Sequence, residues 1–234
     1  KLKELKQKID GEAGVLLGKI TEEPEVFFDL SIIRSDAKGK EIFLQGSKLI
    51  VLDRESQRLL SISSPGKETS VIGGKEKLSS ARSLSILSSR YFILTDDGVK
   101  KISRDGSVET EIENDSDWNN TVKIAIFSSN LYILNSEGEI WRYTDSGSAF
   151  GNKTKWSKKA SGEAIDFVID GYVWVLGKSN SLKRFSRGEF TNFQIKNLEQ
   201  PLKNSLSLYT DELLESIYLL DKGRIVEVNK QTGE

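Results

Sequence analysis

The chain has 234 residues, 37% of them hydrophobic and 29% charged, enough to bury one large all-β core beneath a well-solvated surface. Its 34 basic and 35 acidic residues leave a net charge of −1, so the basic excess that displaces counterions from nucleic acid is missing. It contains no Cys, His or Met, which excludes disulfides, thiolate nucleophiles, imidazole-held metals and a serine triad within this sequence.

Residues 1–10, KLKELKQKID, are expected to form a polar helix with Leu2, Leu5 and Ile9 on one narrow stripe. Gly11 and Gly14 interrupt it, and TEEP (21–24) reads as a linker, because Pro24 forces extended geometry on the residue before it. Residues 1–24 are thus expected to be a helical tether, or a helix packed on the domain surface. Residue 1 is Lys, which points to a fragment of a longer protein or a trimmed one. The apolar run VLLGKI (15–20) is far short of the roughly 18–20 residues that a membrane helix needs, so no membrane insertion by this segment is expected.

From Glu25 onward the pattern is strand and turn. Five hairpins align: KLIVLDRESQRLLSIS (48–63), RYFILTDDGVKKIS (90–103), NLYILNSEGEIWRYT (130–144), YVWVLGKSNSLKRFS (172–186) and SIYLLDKGRIVEVN (216–229). Each has an apolar strand ending at an anchoring leucine, a polar turn and an alternating second strand. The leucines are Leu52, Leu94, Leu134, Leu176 and Leu220, separated by 42, 40, 42 and 44 residues. A period of this size with four strands per unit is the signature of a β-propeller.

Before each hairpin lies an apolar strand with small residues, suited to the crowded axis: EIFLQ (41–45), ARSLSIL (81–87), TVKIAIF (121–127), EAIDFVI (163–169) and NSLSLY (204–209). After the first four hairpins come more polar outer strands: ETSVIG (68–73), SVETEI (107–112), KTKWSK (153–158) and EFTNFQI (189–195). The expected blades are about 40–74, 75–115, 116–160, 161–197 and 198–234, within an all-β propeller domain spanning 25–234. The fifth blade lacks its outer strand, and EVFFDLSII (25–33) is expected to supply it and close the ring. A truncated six-bladed ring is the rival reading.

No catalytic residue, metal ligand or cofactor is assigned. Asp96-Asp97, Asp53 and Asp221 sit in hairpin turns, where Asp supplies turn geometry. Phe92, Tyr132, Trp174 and Tyr218 recur two residues before the anchoring leucine and read as packing between blades. Trp118, in the polar loop NDSDWNN beside Asp117, reads either as an exposed binding residue or as a plug folded into the core. Equivalent loops carry Lys75, Lys77 and Arg82, then Lys158 and Lys159, then Glu199, Gln200 and Asn204. This polar ring at the channel mouth is the expected ligand site, with Trp118, Asp117, Arg82, Lys75, Asn204 and Gln200 as its contacts.

The hairpins LYILNSEGEIWRYT and IYLLDKGRIVEVN resemble NHL-type and related six-bladed propeller repeats over roughly residues 37–234. The TEEPEVFFDLSII lead-in, the helical stretch before it and the propeller together resemble the C-terminal region of bacterial membrane proteins that begin with a PPM-type protein phosphatase-like domain. That resemblance implies six blades, an upstream membrane anchor and an extracytoplasmic propeller. The function expected is non-catalytic: a sensing or protein-interaction module, monomeric as a domain, binding a protein, peptide or glycan and no nucleic acid. The alternatives are a calcium-dependent lactonase- or hydrolase-like enzyme, with oxygen ligands from Asp166, Glu163 and Asn204, and a structural spacer.

Overall fold

In the computed structural model, residues 1, 2, 5, 18–20, 22–55, 57–74 and 78–234 are described. They divide into two units, 1–35 and 36–234. Most of the expected tether helix, together with Ile9, Lys75 and Lys77, lies outside the described residues.

Within the first unit, residues 25–33 form no strand, contrary to expectation. Asp29 turns the chain instead: its carboxylate accepts the Ser31 amide at 2.9 Å and caps a single 3-10 turn, Leu30–Ile32. An Asx cap of this kind offers the backbone a local partner in place of a sheet ladder.

The second unit is an all-β propeller of five antiparallel sheets, the first four with four strands each and the fifth with three. The first blade is β1 (Gly39–Gln45), β2 (Lys48–Asp53), β3 (Arg58–Ser63) and β4 (Thr69–Gly74). The second is β5 (Ser83–Leu87), β6 (Arg90–Thr95), β7 (Gly98–Ile102) and β8 (Val108–Glu113). The third is β9 (Thr121–Phe127), β10 (Asn130–Asn135), β11 (Ile140–Asp145) and β12 (Phe150–Lys155). The fourth is β13 (Ala164–Ile169), β14 (Val173–Gly177), β15 (Leu182–Ser186) and β16 (Glu189–Thr191). The fifth is β17 (Ser205–Tyr209), β18 (Ser216–Asp221) and β19 (Arg224–Asn229).

Sequence neighbours pair in order because each turn is short. Lys222 and Gly223, both at positive φ (36° and 81°), join β18 to β19 in a two-residue loop whose twist suits a hairpin. The first strands pack on one another from sheet to sheet, β1 on β5, β5 on β9, β9 on β13 and β13 on β17, which makes them the innermost strands. The outer strands are less regular than the sequence pattern. β12 begins at Phe150 rather than Lys153, and Trp156 leaves the strand to stack edge-on against Tyr132, 5.9 Å between centroids.

Four hydrophobic clusters fill the four junctions between consecutive blades. At the first, Ile50, Leu52 and Leu59 meet Leu84, Ile93 and Ile102. At the fourth, Trp174, Leu176 and Leu182 meet Leu208, Leu219 and Val226. In each case the anchoring leucine and its β3-type partner face forward, and the residue before the leucine faces back. A buried leucine contributes about 1.5–3 kcal/mol over an exposed one, so these repeated columns hold the blades together. Phe92 and Trp174 are fully buried and Tyr132 nearly so, the packing role expected of them.

Candidate functional site

The inner strands line a channel, and strand register brings five residues of that wall into one equivalent position. Glu41, Ser83, Lys123, Asp166 and Ser207 each pair with the anchoring leucine of their own blade. Three of the five accept an amide from the next blade. Glu41 Oε2 takes Leu84 N–H at 2.5 Å, Ser83 Oγ takes Ile124 N–H at 3.2 Å, and Asp166 Oδ2 takes Leu208 N–H at 2.9 Å. Ser85, two residues on, repeats the device with Ile126 N–H at 3.0 Å.

Lys123 breaks this pattern, since an ammonium cannot accept. The third-to-fourth junction is instead made by its Nζ donating to Asp166 Oδ1 at 2.5 Å, and the same oxygen accepts its own neighbour's amide, Phe167 N–H, at 2.8 Å. Burial pulls the Lys123 pKa down, but the carboxylates of Asp166 and Glu41 outweigh it and hold it above the ordinary lysine value. Burial pushes the Glu41 carboxyl up, with nearby Asp166 adding to the rise, against the pull of Lys123 and the Leu84 amide. The channel wall thus carries a charge row of carboxylate, ammonium and carboxylate contributed by blades one, three and four. A buried ion pair keeps its partners in place because removing one strands the other's charge.

The oxygen ligands considered for calcium are not gathered. Asp166 is bonded to Lys123 and two amides, Glu163 is largely exposed and pairs with Lys178 at 3.4 Å, and Asn204 lies exposed at the start of β17. Among the described residues, no group of three acidic, Cys or His side chains is placed to hold a metal ion.

The loops entering the inner strands share one end of the ring with the hairpin turns, and here the expected ligand contacts can be located. Trp118 is not on the surface. It is 1% exposed, stacks edge-on against Tyr143 in the second-to-third junction, and its Nε1–H donates to the Tyr143 hydroxyl at 2.8 Å. The 3-10 turn Ser116–Trp118, capped by the Asp115 carboxylate on Asp117 N–H at 2.9 Å, folds the indole inward. The reading of Trp118 as an exposed contact is thereby corrected, and the reading as a core plug stands.

Asp117 itself remains exposed, with its carboxylate 2.5 Å from Lys153 Nζ; Lys153 also holds Asp115 at 2.7 Å and sits 4.5 Å over the Trp141 ring. Lys153 holds the Asp115 carboxyl below its ordinary value. Arg82 pairs with Asp96 of the β6–β7 turn and donates to Thr121 O at 3.2 Å, binding the second blade to the third. Gln200 and Asn204 expose their side chains; the Gln200 carbonyl accepts from Arg224 at 3.1 Å, and the Asn204 amide donates to buried Asp221 at 2.8 Å. Among the described residues, no hydrogen bond or ion pair joins one of Asp117, Arg82, Asn204 and Gln200 to another. Lys75 lies outside the described residues. Lys158, expected at the same mouth, lines a shallow groove of about 310 Å³ with Lys159, Gly188, Glu189 and Phe190, and its ammonium holds the Glu189 carboxyl below the usual range.

Glu41 and Lys123 join Asp166 in this charge row, yet neither stands out in the sequence. Their shared column appears only when each inner strand is placed in register with its own leucine, and the offsets vary with loop length.

No family model matches the chain, and no curated protein matches it. Solved structures share its fold. A chain of the nidogen/laminin complex aligns over 80% of this chain and 73% of its own length, at 12% identity and TM-score 0.63. A gluconolactonase from Xanthomonas campestris aligns over 76% of this chain and 67% of its own, at 14% identity and TM-score 0.58. A computationally designed protein, Ika8, aligns over 84% of this chain and 60% of its own, at 9% identity and TM-score 0.54. At these identities the likeness shows the propeller fold and nothing finer.

Proposed function

We propose that this propeller is a non-catalytic recognition module of a larger, membrane-anchored protein, displayed outside the cytoplasm. Its ligand is a protein, peptide or glycan bound at the entry-loop end of the channel. The observation that carries the reading is the division of labour among polar groups. Glu41, Ser83, Ser85, Lys123 and Asp166 are spent on bonds between blades. The exposed polar side chains of Asp117, Gln200 and Asn204 stand on the loops of one end. Loops on a rigid scaffold are where binding surfaces are commonly built. A propeller of the same fold occurs in a nidogen/laminin complex, which supports protein binding as one use of the scaffold.

Selection of peptides and glycans on the wild-type chain, repeated on the variant Asp117→Lys with Gln200→Ala, tests the reading. Binders lost on the variant support it. Binders that ignore these substitutions would move the site elsewhere. The gluconolactonase neighbour motivates the rival, a calcium-dependent lactonase. Calcium-dependent opening of a lactone ring, abolished by Asp166→Asn, would establish that rival in place of the recognition module.

A further inference from the structure

The junction of the third and fourth blades opens outward as a groove that shares no residue with the surface of Asp117, Gln200 and Asn204. Its walls are the segment after β12 and the β15–β16 turn, both on four-stranded blades. Backbone contacts lock the two walls together. Lys158 N–H donates to Gly188 O at 2.9 Å. Gly188 stands at φ +83°, and a Cβ there would lie 2.2 Å from the Trp156 carbonyl oxygen, so the close approach requires glycine. An aromatic stack leads out to the groove. The ring centroid of Trp156 lies 6.2 Å from that of Phe185, and Phe185 lies 4.3 Å from Phe190. Trp156 is half-buried and Phe185 fully buried, but Phe190, which lines the groove, is 42% exposed. The stack thus ends in an apolar ring open to solvent.

Four cations stand on or beside these walls, and one carboxylate answers them. Lys158 pairs with Glu189. The Lys183 ammonium donates to the Ser161 carbonyl and sits 5.5 Å from the Phe190 centroid, a charge held in place at the ring. Lys159 lines the groove, and Arg187 is exposed beside Gly188 in the same turn. Among the described residues, no carboxylate bonds to Lys159, Lys183 or Arg187. Lysines on either side are matched, Lys155 by Glu139 and Lys178 by Glu163. In a chain of net charge −1, this junction is a local positive patch.

We propose that the groove docks an acidic peptide segment of a partner protein. Its carboxylates lie against Lys158, Lys159 and Lys183, and an apolar side chain covers the Phe190 ring. Charge complementarity names the anion, because three of the four cations have no carboxylate of their own. The ring names the apolar neighbour, since phenylalanine carries no hydroxyl or N–H with which to orient a sugar. The backbone of β16 gives a further reason for polypeptide. Ser186 and Glu189 close the two-residue turn as a bonded pair, so Phe190 N–H and C=O point away from β15. The locked walls mean that little ordering is needed on binding.

The test is a nitrogen-15 NMR titration of the 234-residue chain with the capped peptide EDEFEELE. The peptide is expected to shift the amides of Lys158, Gly188 and Phe190, less so as salt rises. Lys158→Gln with Lys159→Glu, both exposed, is expected to weaken binding about tenfold or more. Lys178→Glu, outside the groove, is expected to bind as wild type does. The peptide EDESEESE, with serine in place of its apolar residues, is expected to bind about tenfold more weakly. Equal binding by EDESEESE would reduce the site to charge alone and overturn the proposal. So would the absence of shifts at the three amides with EDEFEELE at millimolar concentration. Heparin or phosphatidylserine vesicles that perturb these amides where the peptide does not would give the groove to a sulfated glycan or a membrane, and overturn the peptide. Asp117→Lys with Gln200→Ala is expected to leave the titration unchanged, so this groove and the channel mouth fail or stand separately; loss of the shifts in that variant would overturn a separate site.

Discussion

The Nζ of Lys123 lies 2.5 Å from Oδ1 of Asp166, joining the inner strands of the third and fourth blades along the channel wall. The opposite oxygen of Asp166 holds the Leu208 amide of the fifth blade at 2.9 Å, so one carboxylate ties three blades. Glu41 extends the same charge row from the first blade.

Removing the ammonium should therefore cost more than a surface pair does. Lys123→Met is expected to destabilise the fold by about 3 kcal/mol, the low end for breaking a buried pair, because Lys123 keeps some solvent contact. A double-mutant cycle with Asp166→Asn, read by urea unfolding, should show coupling of about 1 kcal/mol or more. Strict additivity would mean that the pair contributes nothing.

Asp221 sets an acid limit on the fifth blade. Its fully buried carboxylate is pushed up by desolvation, but the Asn204 amide, the Arg224 guanidinium, the Lys203 amide and the Ser205 hydroxyl outweigh that and lower its pKa. A carboxyl lowered in the folded state contributes stability above the unfolded-state value, and loses it as pH falls through the folded value. The stability gap between wild type and Asp221→Asn should be full at neutral pH and close below about pH 4, measured by denaturant unfolding across pH. Glu41 has the opposite sign: its raised value favours the fold at low pH and ceases to do so as pH rises through that value.

Trp118 should behave as a core residue. Trp118→Ala is expected to cost about 3–5 kcal/mol from cavity formation. Trp118→Phe should cost less, about 1–2 kcal/mol, since most of the packing survives and the bond to the Tyr143 hydroxyl is lost. Thermal unfolding distinguishes the two. A Trp118→Ala protein with unchanged stability would put the indole back on the surface.

Gly98 opens β7 at φ +119°, and a Cβ there would lie 2.1 Å from the Ile112 carbonyl oxygen of β8. Gly98→Ala is expected to destabilise by about 2 kcal/mol or more and to loosen the β7–β8 ladder. Faster amide exchange confined to that pair of strands is the sign to look for.

The sequence by itself determined the repeat. Leucines 40–44 residues apart, each closing an apolar strand before a polar turn, specify successive hairpins whose two greasy faces need neighbours on both sides. Local chemistry also decided turns: the Asp53 and Asn135 side chains accept the amides of Glu55 and Glu137, two residues on, as short polar side chains at hairpin ends do. The tertiary structure decided what depends on distant chain segments meeting. Residues 25–33 have the apolar content of a strand, but the Asp29 carboxylate takes the Ser31 amide and the chain turns there instead. Trp118 sits in a polar loop by sequence, yet the space beside Tyr143, 25 positions later, draws it inward. Lys123 and Asp166, 43 residues apart, become partners only through the stacking of blades. Periodicity fixes which residues are equivalent, because it follows from backbone geometry along one strand; contact between equivalents is set by how the sheets pack around the axis, which no single strand encodes.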